Sequence, residues 1–332
     1  MKLRPIPFSG LAFAALCLLL TAAACSGPAD SGPATDGGTA EPAPDATAAT
    51  APEAAPLAEP VLRVATLSNP VDWLVQRLSA GRVAGEAVMP ADERPATWRP
   101  DADAVVALQQ VDLLVMNGAG YEAWTDQTNL PLSKVLDTSA ELDRIEIRGR
   151  THSHGDGGEH SHAGFAAEVW LDPDLYLEQA RRIHGAFVEL DPEGAAAYDA
   201  ALTELESDLR ALTAELETAL APLSGVTLTA DHPSFHYFAR RFDLTVDNLD
   251  VDAAAPPTAE LLAALEGLGG VVLLTAEPHP DLAAALADGP PHLVVDTLEV
   301  PPAGDAYDYI SQMRANRDRF AELAASLGPA AG

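Results

Sequence analysis

Strand-like and helix-like segments alternate along this chain in two blocks, which are separated by one long helical segment. In the first block, "VLRVATL", "GEAVM" and "VDLLVMNG" have the apolar composition of strands, and "VDWLVQRLSAG" and "DADAVVALQQ" have helical spacing. In the second block, "VTLTA", "LTVDNL", "GVVLLTAE" and "PHLVVDTL" predict strands with helical segments between them. Such alternation is typical of βαβ units. The sequence therefore predicts an α/β fold of two lobes, each a mainly parallel sheet flanked by helices.

The segment between the two blocks predicts a single long helix that connects the lobes. Its apolar residues recur at steps of three or four and form one stripe: Tyr198, Leu202, Leu205, Leu209, Leu212, Leu216 and Leu220. A helix of this length spans roughly 40 Å, enough to cross a whole molecule. We expect an N-terminal lobe over residues 61–190, the connecting helix over 191–223 and a C-terminal lobe over 224–330.

The first 60 residues are expected to lie outside this fold. Residues 1–24 combine an early Lys2 and Arg4 with the apolar run "LAFAALCLLL" and a small-residue end, the layout of a secretory signal peptide. Cys25 directly follows three alanines, which resembles a bacterial lipobox and predicts a lipid anchor. Residues 25–60 are almost all Ala, Pro, Gly, Thr, Ser and acids, a composition that predicts a disordered tether. We therefore expect an extracytoplasmic protein anchored to a bacterial membrane, with a plain secreted protein as the alternative.

The chain is strongly acidic, with a formal net charge of −31. This balance argues against a nucleic-acid partner, for which a basic surface would be expected. It favours a field that attracts cations. The only cysteine besides Cys25 is Cys17, inside the predicted signal peptide, so no disulfide is expected within the mature chain.

A histidine-rich segment, "THSHGDGGEHSHAG", holds four of the nine histidines in two His-x-His pairs around a glycine-rich acidic turn. The four are His152, His154, His160 and His162. The segment has little apolar material to bury, so it is not expected in the core. Clustered imidazoles beside acids are the ligands that zinc prefers.

Three further residues are candidate ligands. His232 follows one predicted strand and Asp296 ends another, at the carboxyl edges where an α/β sheet places its ligands. Glu168 stands in "AEVWLDP", before Trp170 and the next predicted helix. Imidazole with carboxylates suits Zn²⁺, and a carboxylate-rich set also admits Mn²⁺.

In the order, spacing and sequence of its short motifs, the chain from about Val61 to Leu327 resembles the zinc and manganese solute-binding proteins of ABC transporters. "VDLLVMNGAGYEAW" is similar to the family's "ADLVVYNGLGLEPW", and "DHPSFHYFARRFDL" to its "HxAFxYFAxxYGL". "VATLSNPVDWLVQRL", "VWLDP", "LLTAEPHP" and "LVVDTL" match further segments in the same order. The resemblance implies two lobes joined by a rigid helix. It also implies an ion held between them by four ligands, commonly three histidines and one acid.

Two of these four ligand positions match the family pattern and two do not. His232 matches the third ligand and Asp296 the fourth, whereas Glu168 stands where the second histidine belongs and Ala96 where the first belongs. His162 lies six residues before Glu168, within about 20 Å of extended chain.

We therefore hypothesise that a histidine of the 151–163 loop replaces the ligand lost at Ala96. The alternative is a loop that gathers zinc weakly and hands it inward. Glu277 and His236 are expected to support the ligands from behind.

The resemblance implies a receptor rather than an enzyme. This receptor, expected as a monomer, would capture Zn²⁺, with Mn²⁺ as the alternative, and deliver it to the membrane permease of an ABC transporter. A metallohydrolase is a weaker alternative, because the chain has no His-Glu-x-x-His or Gly-x-Ser-x-Gly pattern. Ala96 favours a third possibility, a degenerate member that acts as an adhesive or structural lipoprotein or binds another solute.

Overall fold

The computed structural model describes residues 59–95, 97–147, 151–153, 159–161, 164–302 and 306–327. All of them belong to one compact unit that spans Ala55–Gly332. The predicted signal peptide, Cys25, nearly all of the predicted tether and Ala96 lie outside the described residues. Within the described ranges, no helix is long and apolar enough to cross a membrane.

The N-terminal lobe is built on a parallel four-stranded sheet. Its elements are β1 Leu62–Thr66, α1 Asn69–Leu78, β2 Val83–Ala87, α2 Ala102–Gln110, β3 Leu113–Met116 and β4 Val135–Asp137. The strands pair in the order β2-β1-β3-β4, and every pairing is parallel. The central strands β1 and β3 are almost wholly buried, which explains why they appear in the sequence as continuous apolar runs.

Two short antiparallel pairs carry the chain through the histidine-rich segment. β5 Glu146–Ile147 pairs with β8 Gly164–Phe165, and β6 Thr151–Ser153 pairs with β7 Glu159–Ser161. The inner pairing places the Cα atom of His152 opposite that of His160. The segment therefore leaves and returns at one place, the β5–β8 pair, a few residues before Glu168.

Two long helices follow, α3 Pro173–Leu190 and α4 Ala195–Leu220. The carboxylate of Asp172 caps α3, because its Oδ1 accepts the N–H groups of Asp174 and Leu175 at 3.0 and 3.4 Å. α4 buries its predicted stripe against α3 and α8 Tyr309–Leu327. Leu202 is the one stripe residue that is only half-buried. The long connecting helix predicted from this stripe is confirmed.

The C-terminal lobe has the same strand order as the first lobe. Its elements are β9 Thr227–Ala230, α5 His236–Arg241, β10 Thr245–Asn248, α6 Ala259–Glu266, β11 Val271–Leu274, α7 Pro280–Ala287 and β12 His292–Val294, before α8. The strands pair in parallel in the order β10-β9-β11-β12. The predicted α/β fold of two parallel sheets flanked by helices is confirmed.

Short 3₁₀ turns complete the described secondary structure: Ala123–Gln127, Leu132–Lys134, Val169–Leu171, Pro192–Gly194 and Ala221–Leu223. The closing helix α8 begins at Tyr309. The reason is the carboxylate of Asp308, whose Oδ1 accepts the Ser311 N–H at 2.8 Å and so caps the helix.

A buried aromatic group joins the two lobes. Tyr176 of α3 lies 4.1 Å from Tyr309 of α8 between ring centroids, and Trp73 of α1 packs on both rings. The Tyr309 hydroxyl donates to the backbone carbonyl of Trp170 at 2.6 Å. The lobes therefore share one continuous core.

Leu209→Ala tests whether the α4 stripe carries this core. Leu209 is 1% exposed, so its truncation is expected to lower the free energy of unfolding by about 2–5 kcal/mol. The matched control is Leu132→Ala, because Leu132 is 83% exposed and its loss is expected to change stability by no more than about 0.5 kcal/mol. Urea unfolding measures both values, and equal effects would contradict the assignment of α4 to the core.

Candidate metal centre

His232 is positioned by a buried carboxylate at the end of β9. The carboxylate of Asp231 accepts the backbone N–H of Thr275 at 3.0 Å and the Thr275 hydroxyl at 3.1 Å. Burial raises the pKa of Asp231 to about 6. These bonds link the carboxyl ends of β9 and β11 and hold the His232 backbone at that edge of the second sheet.

The Ser234 hydroxyl lies near both His232 and Glu168. Its oxygen is 3.0 Å from Nδ1 of His232, and Ser234 partly offsets the rise in the pKa of Glu168. Ser234 therefore stands where the His232 segment of one lobe approaches the Glu168 segment of the other.

Glu168 is 7% exposed and directly precedes the Val169–Leu171 turn. Its segment is fixed from both lobes: Asn117 donates to the carbonyl of Ala167 at 2.9 Å, and the Tyr237 hydroxyl donates to that of Ala166 at 3.1 Å. Burial raises the pKa of Glu168 to about 8, and the nearby carboxylate of Glu299 adds to the rise. A cation that replaces the proton would therefore favour the ionised carboxylate.

Asp296 follows β12 and is fixed by α8. Asn316 accepts the Asp296 N–H at 3.0 Å and donates to its carbonyl at 2.7 Å. The carboxylate accepts the Leu298 N–H on Oδ1 at 2.8 Å and the Gln312 amide on Oδ2 at 3.0 Å. A carboxylate has about four lone-pair sites, so these two bonds leave it able to bind a cation as well.

A third carboxylate, Glu299, lies three residues after Asp296 and was not predicted from the sequence. Its side chain is 14% exposed, and it pairs with Nη1 of Arg94 at 2.8 Å through Oε2. Its Oε1 accepts the Tyr121 hydroxyl at 3.3 Å. Burial raises the pKa of Glu299, Arg94 and Tyr121 oppose the rise, and the charge of Asp296 adds to it. The segment around Glu299 matches no motif, so the sequence held no signal for it.

The Trp170 indole brings the two carboxylate segments together. Its N–H donates to the carbonyl of Thr297 at 2.8 Å. Residues 166–172 thereby meet residues 296–299, and we call this contact the lobe junction. Ser234 contacts His232 there, the charge of Glu299 raises the pKa of Glu168, and the charge of Asp296 raises the pKa of Glu299. Among the described residues, however, no three His, Cys, Asp or Glu side chains are grouped closely enough to hold an ion.

The remaining predicted residues lie in several places. His236 opens α5 and donates from Nδ1 to the carbonyl of Pro233 at 2.8 Å, and burial lowers its pKa. Glu277 follows β11 and is exposed. His152 and His160 lie in β6 and β7, whereas His154 and His162 fall outside the described residues. The roles predicted for all of them stay predictions.

The sequence model of the family described as "Zinc-uptake complex component A periplasmic" matches residues 64–323. The chain belongs to this family. Its members are solute-binding proteins of ABC transporters and are not enzymes. Membership confirms both the resemblance stated from the sequence and the prediction that the protein is not an enzyme.

Individual relatives of this zinc-uptake family member bind two different metals. The zinc uptake protein ZnuA of Paracoccus denitrificans is 26% identical over 272 residues, 71% of this chain and 82% of that protein. The Zn(II)-bound ZnuA-like domain of Streptococcus pneumoniae AdcA superposes with a TM-score of 0.65 at 18% identity, covering 79% of this chain and 98% of that one.

The Mn²⁺ complex of FpvC from Pseudomonas aeruginosa also superposes with a TM-score of 0.65, at 19% identity, covering 81% of this chain and 100% of that one. At these identities the two structures show a shared fold.

Glu168→Gln is expected to stabilise the protein increasingly as the pH rises from about 5 to 8. Below the ordinary glutamate pKa of 4.5, Glu168 is protonated in both the folded and the unfolded wild type. Its ionisation therefore does not change the free energy of unfolding there. Between that pH and the folded-state pKa of about 8, unfolding releases a proton. Wild-type stability therefore falls by about 1.4 kcal/mol per pH unit. Glutamine has no ionisable group, so Glu168→Gln does not show this fall in the free energy of unfolding.

The measurement is urea unfolding of both proteins at several pH values in the presence of a chelator. Glu322→Gln, at an exposed position on α8, is the control and should track wild type. A stability difference between Glu168→Gln and wild type that stays constant with pH would contradict the buried, protonated carboxyl.

Proposed function

We propose that this protein is an extracytoplasmic receptor that captures a divalent transition metal, zinc first and manganese as the alternative. It delivers the ion to the membrane permease of an ABC transporter. The observation that carries the proposal is the lobe junction, where the Trp170–Thr297 hydrogen bond brings the segment of Glu168 to that of Asp296 and where Ser234 contacts His232. This arrangement presents an imidazole nitrogen and carboxylate oxygens from two lobes, and these donors suit Zn²⁺ and admit Mn²⁺.

In this proposal the ion is the cargo, and His232, Glu168 and Asp296 bind it. His232 binds through Nε2, because Ser234 occupies Nδ1. Glu168 gives up its proton when the ion arrives, so binding weakens as the pH falls. A small approach of the lobes gathers the donors, since a helix as long as α4 limits hinge motion.

The histidine-rich segment takes part in one of two ways. It returns to the fold at β8, directly before Glu168, which suits either a fourth ligand from His152, His154, His160 or His162, or a loop that gathers zinc. Glu277 and His236 are proposed to support the ligands. A lipid anchor at Cys25 and a monomeric state complete the proposal for a receptor that works at a membrane surface.

The test is a zinc titration of the full-length chain against a chelator of known affinity. His232→Ala is expected to lower the affinity by about a hundredfold or more, because losing only an outer partner of a ligand already costs about 10–100-fold. The matched control is His292→Ala, an exposed histidine at the start of β12, which should not change the affinity.

Deletion of residues 151–163 then separates the two roles of the segment. A large loss of affinity would make the segment part of the site, and an unchanged affinity with slower zinc uptake would make it a gatherer. A wild-type chain that binds neither zinc nor manganese tightly would contradict the proposed function.

A further inference from the structure

A loop of the first lobe, residues 90–95, is held against the second lobe by one amide side chain. Asn69, at the start of α1, donates to the carbonyl of Ala91 at 3.0 Å and to the carbonyl of Glu299 at 2.8 Å. A side-chain amide has two hydrogens to give, one for each bond. Asn69 is itself buried. It therefore ties the loop to a segment of the opposite lobe.

The Glu299 side chain completes this contact between the lobes. Its Oε2 pairs with Nη1 of Arg94, from the loop, at 2.8 Å, and its Oε1 accepts the Tyr121 hydroxyl at 3.3 Å. Both carboxylate oxygens are thus bound by side chains of the first lobe, and the backbone carbonyl is bound by Asn69. We call these four residues, Asn69, Arg94, Tyr121 and Glu299, the clasp.

A proposed ligand beside the clasp is closed off from solvent. Glu168 is buried, and two residues further on the Trp170 ring packs 4.9 Å from the ring of Tyr121, a member of the clasp. A hydrated cation therefore cannot reach the Glu168 carboxylate unless a contact at the lobe junction opens. A bound ion must leave by such an opening too.

Of the two contacts that tie the lobes at the junction, the clasp costs less to open. Parting the Trp170–Thr297 bond would expose a fully buried indole. The Arg94 side chain is already 54% exposed, so its ion pair contributes little. The loop that carries it is anchored by the buried Met89 and Pro95, and the residues between them are exposed. The middle of the loop can therefore swing outward while its ends stay in place.

We propose that the clasp is a gate, which opens to let a divalent cation into or out of the lobe junction and then closes again. The inference rests on the proposed function. The proposed ligands are other residues, so the clasp sets the rates of binding and release and leaves the affinity unchanged. The loop moves with Arg94, whereas Glu299 stays on the second lobe.

The test measures opening and zinc binding separately in the full-length chain. Amide hydrogen exchange in the presence of a chelator reports how often residues 90–95 and 297–300 open. Stopped-flow mixing gives the rates at which zinc associates and, with excess chelator, dissociates. Asn69→Ala removes both bonds of the amide and is expected to raise all three rates by one common factor of about ten.

Two further variants bracket this result. Arg94→Gln is expected to raise the same rates by no more than about fivefold, because the guanidinium it removes is half in solvent. The matched control is Asn248→Ala, at an exposed position at the end of β10, which should change none of them.

The outcomes separate the gate from the proposed function. Faster exchange in Asn69→Ala with unchanged zinc rates would overturn the gate, since the clasp would then be only structural, and leave the proposed function standing. Unchanged exchange in Asn69→Ala would overturn the clasp itself. A wild-type chain that binds neither zinc nor manganese tightly would overturn the proposed function and the gate together.

Should Asn69→Ala fail to fold, a double variant of Arg94→Gln and Tyr121→Phe gives the same test. It takes both donors from the Glu299 carboxylate and keeps the aromatic ring that packs on Trp170. Its exchange and zinc rates are expected to rise by one common factor, and unequal factors would overturn the gate. Thermal unfolding checks that each variant is folded.

Discussion

The hydrogen bond from the Trp170 indole to the carbonyl of Thr297 is the contact on which the site depends. Trp170 is fully buried, and its own carbonyl accepts the Tyr309 hydroxyl. Trp170 lies two residues after Glu168, and Thr297 lies directly after Asp296, so this one bond brings the segment of Glu168 against the segment of Asp296. A buried donor that loses its partner costs about 1–3 kcal/mol. The lobes therefore cannot drift apart at this place without a penalty.

The junction collects negative charge that the fold alone would not favour. Burial raises the pKa of both Glu168 and Glu299; the charge of Glu299 adds to the rise at Glu168, and the charge of Asp296 adds to the rise at Glu299. Arg94 offsets part of this cost from the solvent side. Perturbed groups of this kind concentrate at functional sites. In the proposed receptor these carboxylates have a function, because a bound cation attracts each of them and so offsets their mutual repulsion.

The fold could be predicted from the sequence because its signals are local. Alternating strand and helix patterns specify both sheets, and the Tyr198 to Leu220 stripe specifies α4. Boundaries were less exact, since the strand predicted at "GEAVM" lies two residues earlier, at Val83–Ala87. Their positions at the ends of predicted strands likewise identified His232 and Asp296 as candidate ligands. The family pattern identified Glu168 as a third.

The rest of the site could not be predicted, because it depends on partners that are distant in the chain. Ser234 matters through its position between His232 and Glu168, and Glu299 through its pairing with Arg94 of the other lobe. No local pattern encodes either relation. The histidine-rich segment is the opposite case: its local sequence pattern is clear, but its role in metal binding stays a prediction.

The most direct test is a crystal structure of the zinc-loaded full-length chain, with the ion located by its anomalous scattering at the zinc absorption edge. The account predicts one ion at the lobe junction, at about 2.0–2.2 Å from Nε2 of His232 and from carboxylate oxygens of Glu168 and Asp296. Zinc bound only by residues 151–163, with no ion at the junction, would contradict it.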